Sequence, residues 1–137
     1  MEQKYQNYLF STDKCKIQME QIEKLMKQTY WAAERPIKVM KKAIENSICY
    51  CIYDKDQTLV GLARVITDYA TTYYICDVII DQSHRKFGLG KELLRVITNT
   101  EEIKNLRGIL ITKDAHGLYE KYGFLKSGDR FMEKPKK

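Results

Sequence analysis

No stretch of eighteen apolar residues occurs in this 137-residue chain, which excludes a membrane-spanning helix. The opening MEQKYQNYLF has no apolar segment behind a basic one, so no secretory signal is read there. The four cysteines, Cys15, Cys49, Cys51 and Cys76, follow no zinc-ligand spacing, and no metal is expected. Cys49 and Cys51 share one face of an expected strand. Without an export signal they read as reduced, buried thiols of a cytoplasmic protein. Internal repeats, linkers and low-complexity segments are also missing, and the length suits a single domain over residues 1–137.

The formal charge is +6, but it is not striped. Basic and acidic groups number nine and six over residues 1–50, six and six over 51–100, and nine and six over 101–137. Beyond the KPKK end there is no basic block, and no DNA- or RNA-binding motif is present. Nucleic acid and membrane are therefore not expected partners, whereas a mildly basic surface suits a small anionic ligand.

What is present is clear periodicity. YQNYLFSTD reads as a first strand, with Asp13 capping the segment that follows. Residues 14–31 place Ile22, Leu25, Met26 and Tyr30 at helical spacing. A second helix is expected from Pro36, with Ile37, Met40 and Ile44 on one face. ICYCIYD and TLVGLARVITD, separated by a DKDQ turn, form an expected hairpin, and TTYYICDVIID is a third β-branched strand. A helix is expected over about residues 89–101, then a short strand RGILIT. KDAHGLYEKY reads as a helix stopped by Gly123, and FLKSGDRFMEK as a last strand or hairpin. Strands bunched in the middle with helices around them imply an α+β domain built on a mixed sheet.

HRKFGLGKELL raises the sharpest question, because Gly88 and Gly90 weaken the helix they open. Unpaired N–H groups at a helix start, with the helix dipole, favour an anion. Glycine there lets a phosphate approach the backbone, and Arg85 and Lys86 add charge. The alternative is an ordinary turn with a solvated basic pair. The segment lacks both the Gly-Lys-Ser/Thr end of a P-loop and the three-glycine dinucleotide fingerprint.

Arg85-Lys86-Phe87-Gly88-Leu89-Gly90 does resemble the Arg-x-x-Gly-x-Gly signature of the GNAT superfamily, the acyl-CoA-dependent N-acyltransferases. DAHGLYEKYGF, residues 114–124, is similar to that superfamily's helix-then-strand segment ending in Tyr-Glu-Lys-x-Gly-Phe. The resemblance is strong over residues 58–125. It implies a GNAT-like, mainly antiparallel sheet with helices on both faces and splayed central strands.

The resemblance also implies roles. Acetyl-CoA would be the acyl donor, its pyrophosphate on the backbone of Arg85, Lys86, Phe87, Gly88, Leu89 and Gly90, with Lys91 beside them. Val78, Ile79 and Ile80 would pair with the pantetheine arm as an added strand, and Thr112 stands where the family commonly has an asparagine. The acceptor would be an amine of a small molecule or peptide. Tyr119 falls at the tyrosine that commonly protonates the departing thiolate, its alternative being a core aromatic. Asp77, a carboxylate in an apolar strand, is either an acceptor-site group or the partner of a lysine or arginine. Tyr30, Trp31, Glu34 and Arg35 occupy a link that overhangs the acceptor pocket in this fold, and Trp31 alternatively staples two helices. His84 and His116 read as surface histidines, and Arg64 as an ion-pair partner of Asp68. The competing function is a non-catalytic acyl-CoA-binding regulatory domain. Monomer and homodimer both remain open, as do the acceptor's identity and the base.

Overall fold

The computed structural model describes residues 1–136, so the last lysine of the KPKK end lies outside the described residues. A six-stranded sheet runs in the order β1 (Glu2–Tyr5), β2 (Tyr8–Ser11), β3 (Ile48–Tyr53), β4 (Leu59–Thr67), β5 (Thr72–Ile80) and β6 (Arg107–Leu110). Every neighbouring pair is antiparallel except β5 and β6, which are parallel. The expected first strand is in fact a hairpin. Gln6 takes φ +54° in the turn, and the polar EQKY segment folds back onto YLFS. No strand forms after residue 124 among the described residues; the expected last strand is replaced by extended chain and one short 3-10 turn, Gly128–Arg130.

Helices cover both faces. α3 (Leu89–Thr98) buries Leu89, Leu93, Leu94 and Ile97 against Tyr50, Ile52, Val65 and Ile75. On the other face, α1 (Met19–Met26) and α2 (Ile37–Glu45) bury Ile22, Leu25, Met26, Met40 and Ile44 against Cys49, Cys51, Leu62 and Ile79. The paired cysteines are thus free thiols in a dry core, as their spacing implies. Ile37 departs from expectation and stands in solvent at the helix start. α4 (His116–Glu120) is short and ends where Gly123 takes φ +93°.

α1 is much shorter than its periodicity implies, for two local reasons. Asp13 accepts a hydrogen bond from the Cys15 N–H and caps a separate 3-10 turn, Lys14–Lys16, after which Ile17 and Gln18 are extended. At the far end the buried Thr29 hydroxyl donates to the Met26 carbonyl and accepts from the Ala32 N–H. The chain therefore leaves the helix and throws residues 30–35 across the end of β5.

Candidate functional site

The pairing of β5 with β6 stops at Ile75–Leu110, although β5 continues to Ile80. The last five residues of β5 have no strand beside them on that edge among the described residues. The gap is the mouth of a cleft of about 1230 Å³. Val78, Ile79 and Ile80 line it on one side and Thr112, Ala115 and Tyr119 on the other. Thr112 accepts a hydrogen bond from the Ala115 N–H, so its hydroxyl holds the turn that leads into α4.

At one end lies the glycine turn. Gly88 caps α3 with φ +77°, a conformation costly for any residue with a Cβ, and Lys86 just before it has φ +80°. Gly90 has nothing within 4 Å of where a Cβ would sit, so the approach to the first turn of α3 is open. Backbone bonding resumes only at the Glu92 N–H, which donates to Gly88, leaving the first-turn N–H groups without a helical acceptor. Arg85, Lys86, Gly88, Leu89, Gly90 and Lys91 line this end. Arg85 also donates from Nε to the Ile80 carbonyl at 3.1 Å, tying the turn to the strand. Phe87 is different: it is about half exposed and its side chain does not line the cleft.

The N-terminal hairpin buttresses this turn. Tyr8 Oη lies 2.8 Å from His84 Nδ1, the two rings meet edge to face, and Gln3 donates to Glu92 at the start of α3. Tyr5 Oη would lie 3.2 Å from a Cβ at Gly88. His84 is therefore a braced wall residue and not the solvated histidine its loop position implies. From the α1 side, Gln28 accepts from the Gln82 N–H and donates to Asp81.

At the other end, β5 bulges. Arg64 pairs with Cys76 but Leu62 with Ile79, so Asp77 and Val78 together oppose Ala63, and Asp77 takes φ +50°. Asp77 Oδ2 accepts from Arg35 Nη1 and Arg64 Nε, both at 2.7 Å, while Oδ1 accepts from Trp31 Nε1 at 3.1 Å and Arg35 Nη2 at 3.4 Å. Burial pushes its carboxyl up, but the bonds from the two guanidiniums outweigh that and hold it below its ordinary value. Asp77 is thus a paired carboxylate that also lines the cleft, with Arg35 and Arg64 as its partners. Asp68 instead closes the 68–72 turn through its bonds to Thr71 and the neighbouring N–H groups. Trp31 is pinned over the cleft by Asp77, and Tyr30 stacks edge-on against it at 5.0 Å.

Tyr119 sits in the wall between these ends, 9% exposed. Burial, with a contribution from Asp114, raises its hydroxyl above the ordinary value, so it stays protonated well into alkaline solution. Cys76 also lines the cleft, but burial pushes its thiol up to about 11, which keeps it a poor nucleophile. His116 is half-buried and stands outside the cleft wall. Tyr74, Lys113, Asp114 and Glu133 belong to the wall without having stood out in the sequence, and so does Arg64, which the sequence reads only as an ion-pair partner. The bulge brings Asp77 to Arg64, and the tail brings Glu133 to the wall.

Residues 16–124 match the model of the acetyltransferase (GNAT) family. A GNAT-family protein from Xanthomonas campestris pv. campestris has a crystal structure that superimposes with a TM-score of 0.87 at 35% identity, over 93% of this chain and 92% of that one. A candidate acetyltransferase of Gibberella zeae is 29% identical over 136 residues, spanning 84% of this chain and 77% of that protein. A GNAT-family acetyltransferase from Elizabethkingia anophelis, solved with acetyl-CoA bound, shares the fold alone at 14% identity, with a TM-score of 0.66 over 88% of this chain and 78% of that one. The mixed sheet that opens between β5 and β6, the glycine turn at its mouth and these likenesses converge: the chain belongs to the GNAT acetyltransferase family.

Proposed function

We propose that the protein transfers the acetyl group of acetyl-CoA to an amine of a small molecule or peptide by direct attack, with Tyr119 as general acid. The observation that carries this reading is the gap beyond Ile75–Leu110, which has an anion-ready turn at one end and a protonated phenol in its wall. The residues present fit coenzyme A. Free first-turn N–H groups, an open Gly90, Arg85, Lys86 and Lys91 suit a pyrophosphate, and the unpaired edge of Val78–Ile80 suits an amide-bearing arm. Leu89 contributes its backbone, since its side chain is in the core. When bound, the thioester supplies the activated acyl group.

Direct attack needs a neutral amine and a proton for the departing thiolate. Tyr119 supplies that proton as negative charge develops on sulfur. Asp77 orients Arg35 and Trp31 and takes no proton itself. The test joins two measurements. Acetyl-CoA or coenzyme A should raise the thermal midpoint by several degrees at saturating concentration, and an amine panel should release free thiol. No shift in the midpoint at millimolar ligand would overturn the cofactor assignment. A shift without thiol release from any amine would overturn catalysis and leave a binding domain.

A further inference from the structure

The sequence leaves Asp77 either an acceptor-site group or a paired carboxylate, and its surroundings leave it no capacity for a cationic amine. A carboxylate offers about four lone-pair positions, and Asp77 receives four donors, two from Arg35 and one each from Arg64 and Trp31. Its side chain is 3% exposed, which leaves an incoming ammonium no oxygen to bind.

The arginines, by contrast, are not used up. Arg35 gives its remaining contact to Met40 Sδ, and its Nε has no acceptor among the described residues. Arg64 adds one bond, from Nη1 to Ser47, and its other terminal nitrogen has none among the described residues. Two guanidiniums against one carboxylate leave this cluster with one uncompensated positive charge, low in the cleft, with side-chain exposures of 20% for Arg35 and 9% for Arg64. A buried excess charge is costly without a counter-ion. On the rim Lys113 stands over the Tyr30 ring at 5.4 Å, adding a second cation. Of the wall's other carboxylates, Glu133 is exposed and acts on Tyr74, as Arg64 and Asp77 do, while Asp114 acts on Tyr119; neither forms an ion pair with Arg35 or Arg64 among the described residues.

We infer that the acceptor is an amine that also carries a carboxylate or phosphate group, bound by that group on Arg35 with Arg64 behind it. The planar fork of Arg35 suits either anion. The exposed faces of Tyr30 and Trp31 flank the intervening carbon chain. At the opposite wall, Asp114 gives the ammonium end a counter-charge beside Tyr119. The inference rests on the acetyl-transfer reading above and narrows its substrate class.

The experiment compares matched amines with acetyl-CoA by thiol release: glycine with glycinamide, β-alanine with its amide, phosphoethanolamine with ethanolamine, and putrescine as a dication. A charge-assisted bond of this kind supports a preference of about ten- to a hundredfold in kcat/KM, so each member bearing a carboxylate or phosphate should exceed its twin without that group by that factor. Whichever pair shows the larger ratio separates carboxylate from phosphate. In Arg35→Gln the ratio should collapse toward one, and Arg35→Lys, which keeps charge but loses the fork, should fall between. Equal use of both members, or preference for putrescine, overturns the inference while leaving acetyl transfer intact. Should no amine release thiol, the same pairs are titrated calorimetrically into the coenzyme A complex. Binding of the anionic member alone upholds the anion site, and equal or absent binding overturns it.

Discussion

Arg64 and Asp77 meet at 2.7 Å, Nε to Oδ2, although plain strand alternation would put them on opposite faces of the sheet. Tyr73 and Ile75 of β5 pack toward α3, and so do Val78 and Ile80, so the alternation slips by one residue between them. The slip is the bulge at Asp77, and it moves a carboxylate from what would be the α3 core to the side of Arg64 and Arg35. One extra residue thereby shapes the Arg35–Asp77 end of the cleft.

Removing the charge of Asp77 should be severe. Asp77→Asn leaves Arg35 and Arg64 facing each other without a counter-ion, and breaking a buried pair in this way costs about 3–5 kcal/mol. Urea unfolding at neutral pH measures it.

The same carboxylate sets an acid limit. Its pKa is lowered in the folded chain, so its stabilisation is fully present above the unfolded value of about 4 and is lost as pH falls through the folded value. Unfolding midpoints should be flat near neutrality and drop below about pH 4, and Asp77→Asn should lack this part of the drop.

Tyr119→Phe should lower kcat by about a hundredfold or more, the range expected for loss of a general acid, with coenzyme A binding retained. Because the phenol is raised above its ordinary value, the wild-type rate should climb with amine deprotonation and show no descending limb below about pH 10. A pH–rate profile of both proteins checks this.

The two glycines of the signature should fail differently. Gly90→Glu introduces a side chain into open space and an acid into the first turn of α3, where it favours the helix. It should leave the midpoint unchanged or higher and abolish coenzyme A binding. Gly88→Ala, at φ +77° and close to Tyr5 Oη, should cost about 1–2 kcal/mol of stability before any effect on ligand.

Tyr8→Phe removes the hydroxyl that braces His84 and leaves the hairpin otherwise intact. The loss of about 1 kcal/mol of positioning should weaken coenzyme A about fivefold, measured by titration calorimetry, with little change in the acceptor KM.

What the sequence made legible was periodic or chemically loud. The three central strands, the α3 face and the glycine turn all stand where the pattern puts them. The hairpin at the N-terminus was not legible, because its turn at Gln6 and Asn7 carries no glycine and its outer strand, EQKY, has no apolar alternation to announce it. The last strand was expected from the aromatic and β-prone residues near Phe131, but no neighbouring edge takes it up among the described residues. The partner of Arg64 was assigned by nearness in sequence to Asp68, whereas the bulge brings Asp77 to it from across the hairpin. Bulges depend on tertiary fit and leave little trace in composition.

The open edge of β5 carries a hazard as well as a site. Thr72–Ile80, TYYICDVII, is rich in aromatic and β-branched residues, has a single charge, and ends in backbone whose edge away from β4 has no strand beside it among the described residues. Such edges template edge-to-edge pairing and fibrous assembly. Here the edge is recessed, with β6 and α4 forming the opposite bank of the cleft, so a second chain cannot lie flat against it. Damage that detaches that bank would therefore expose a segment prone to self-association, and the cleft's depth shields that edge as well as shaping the candidate site.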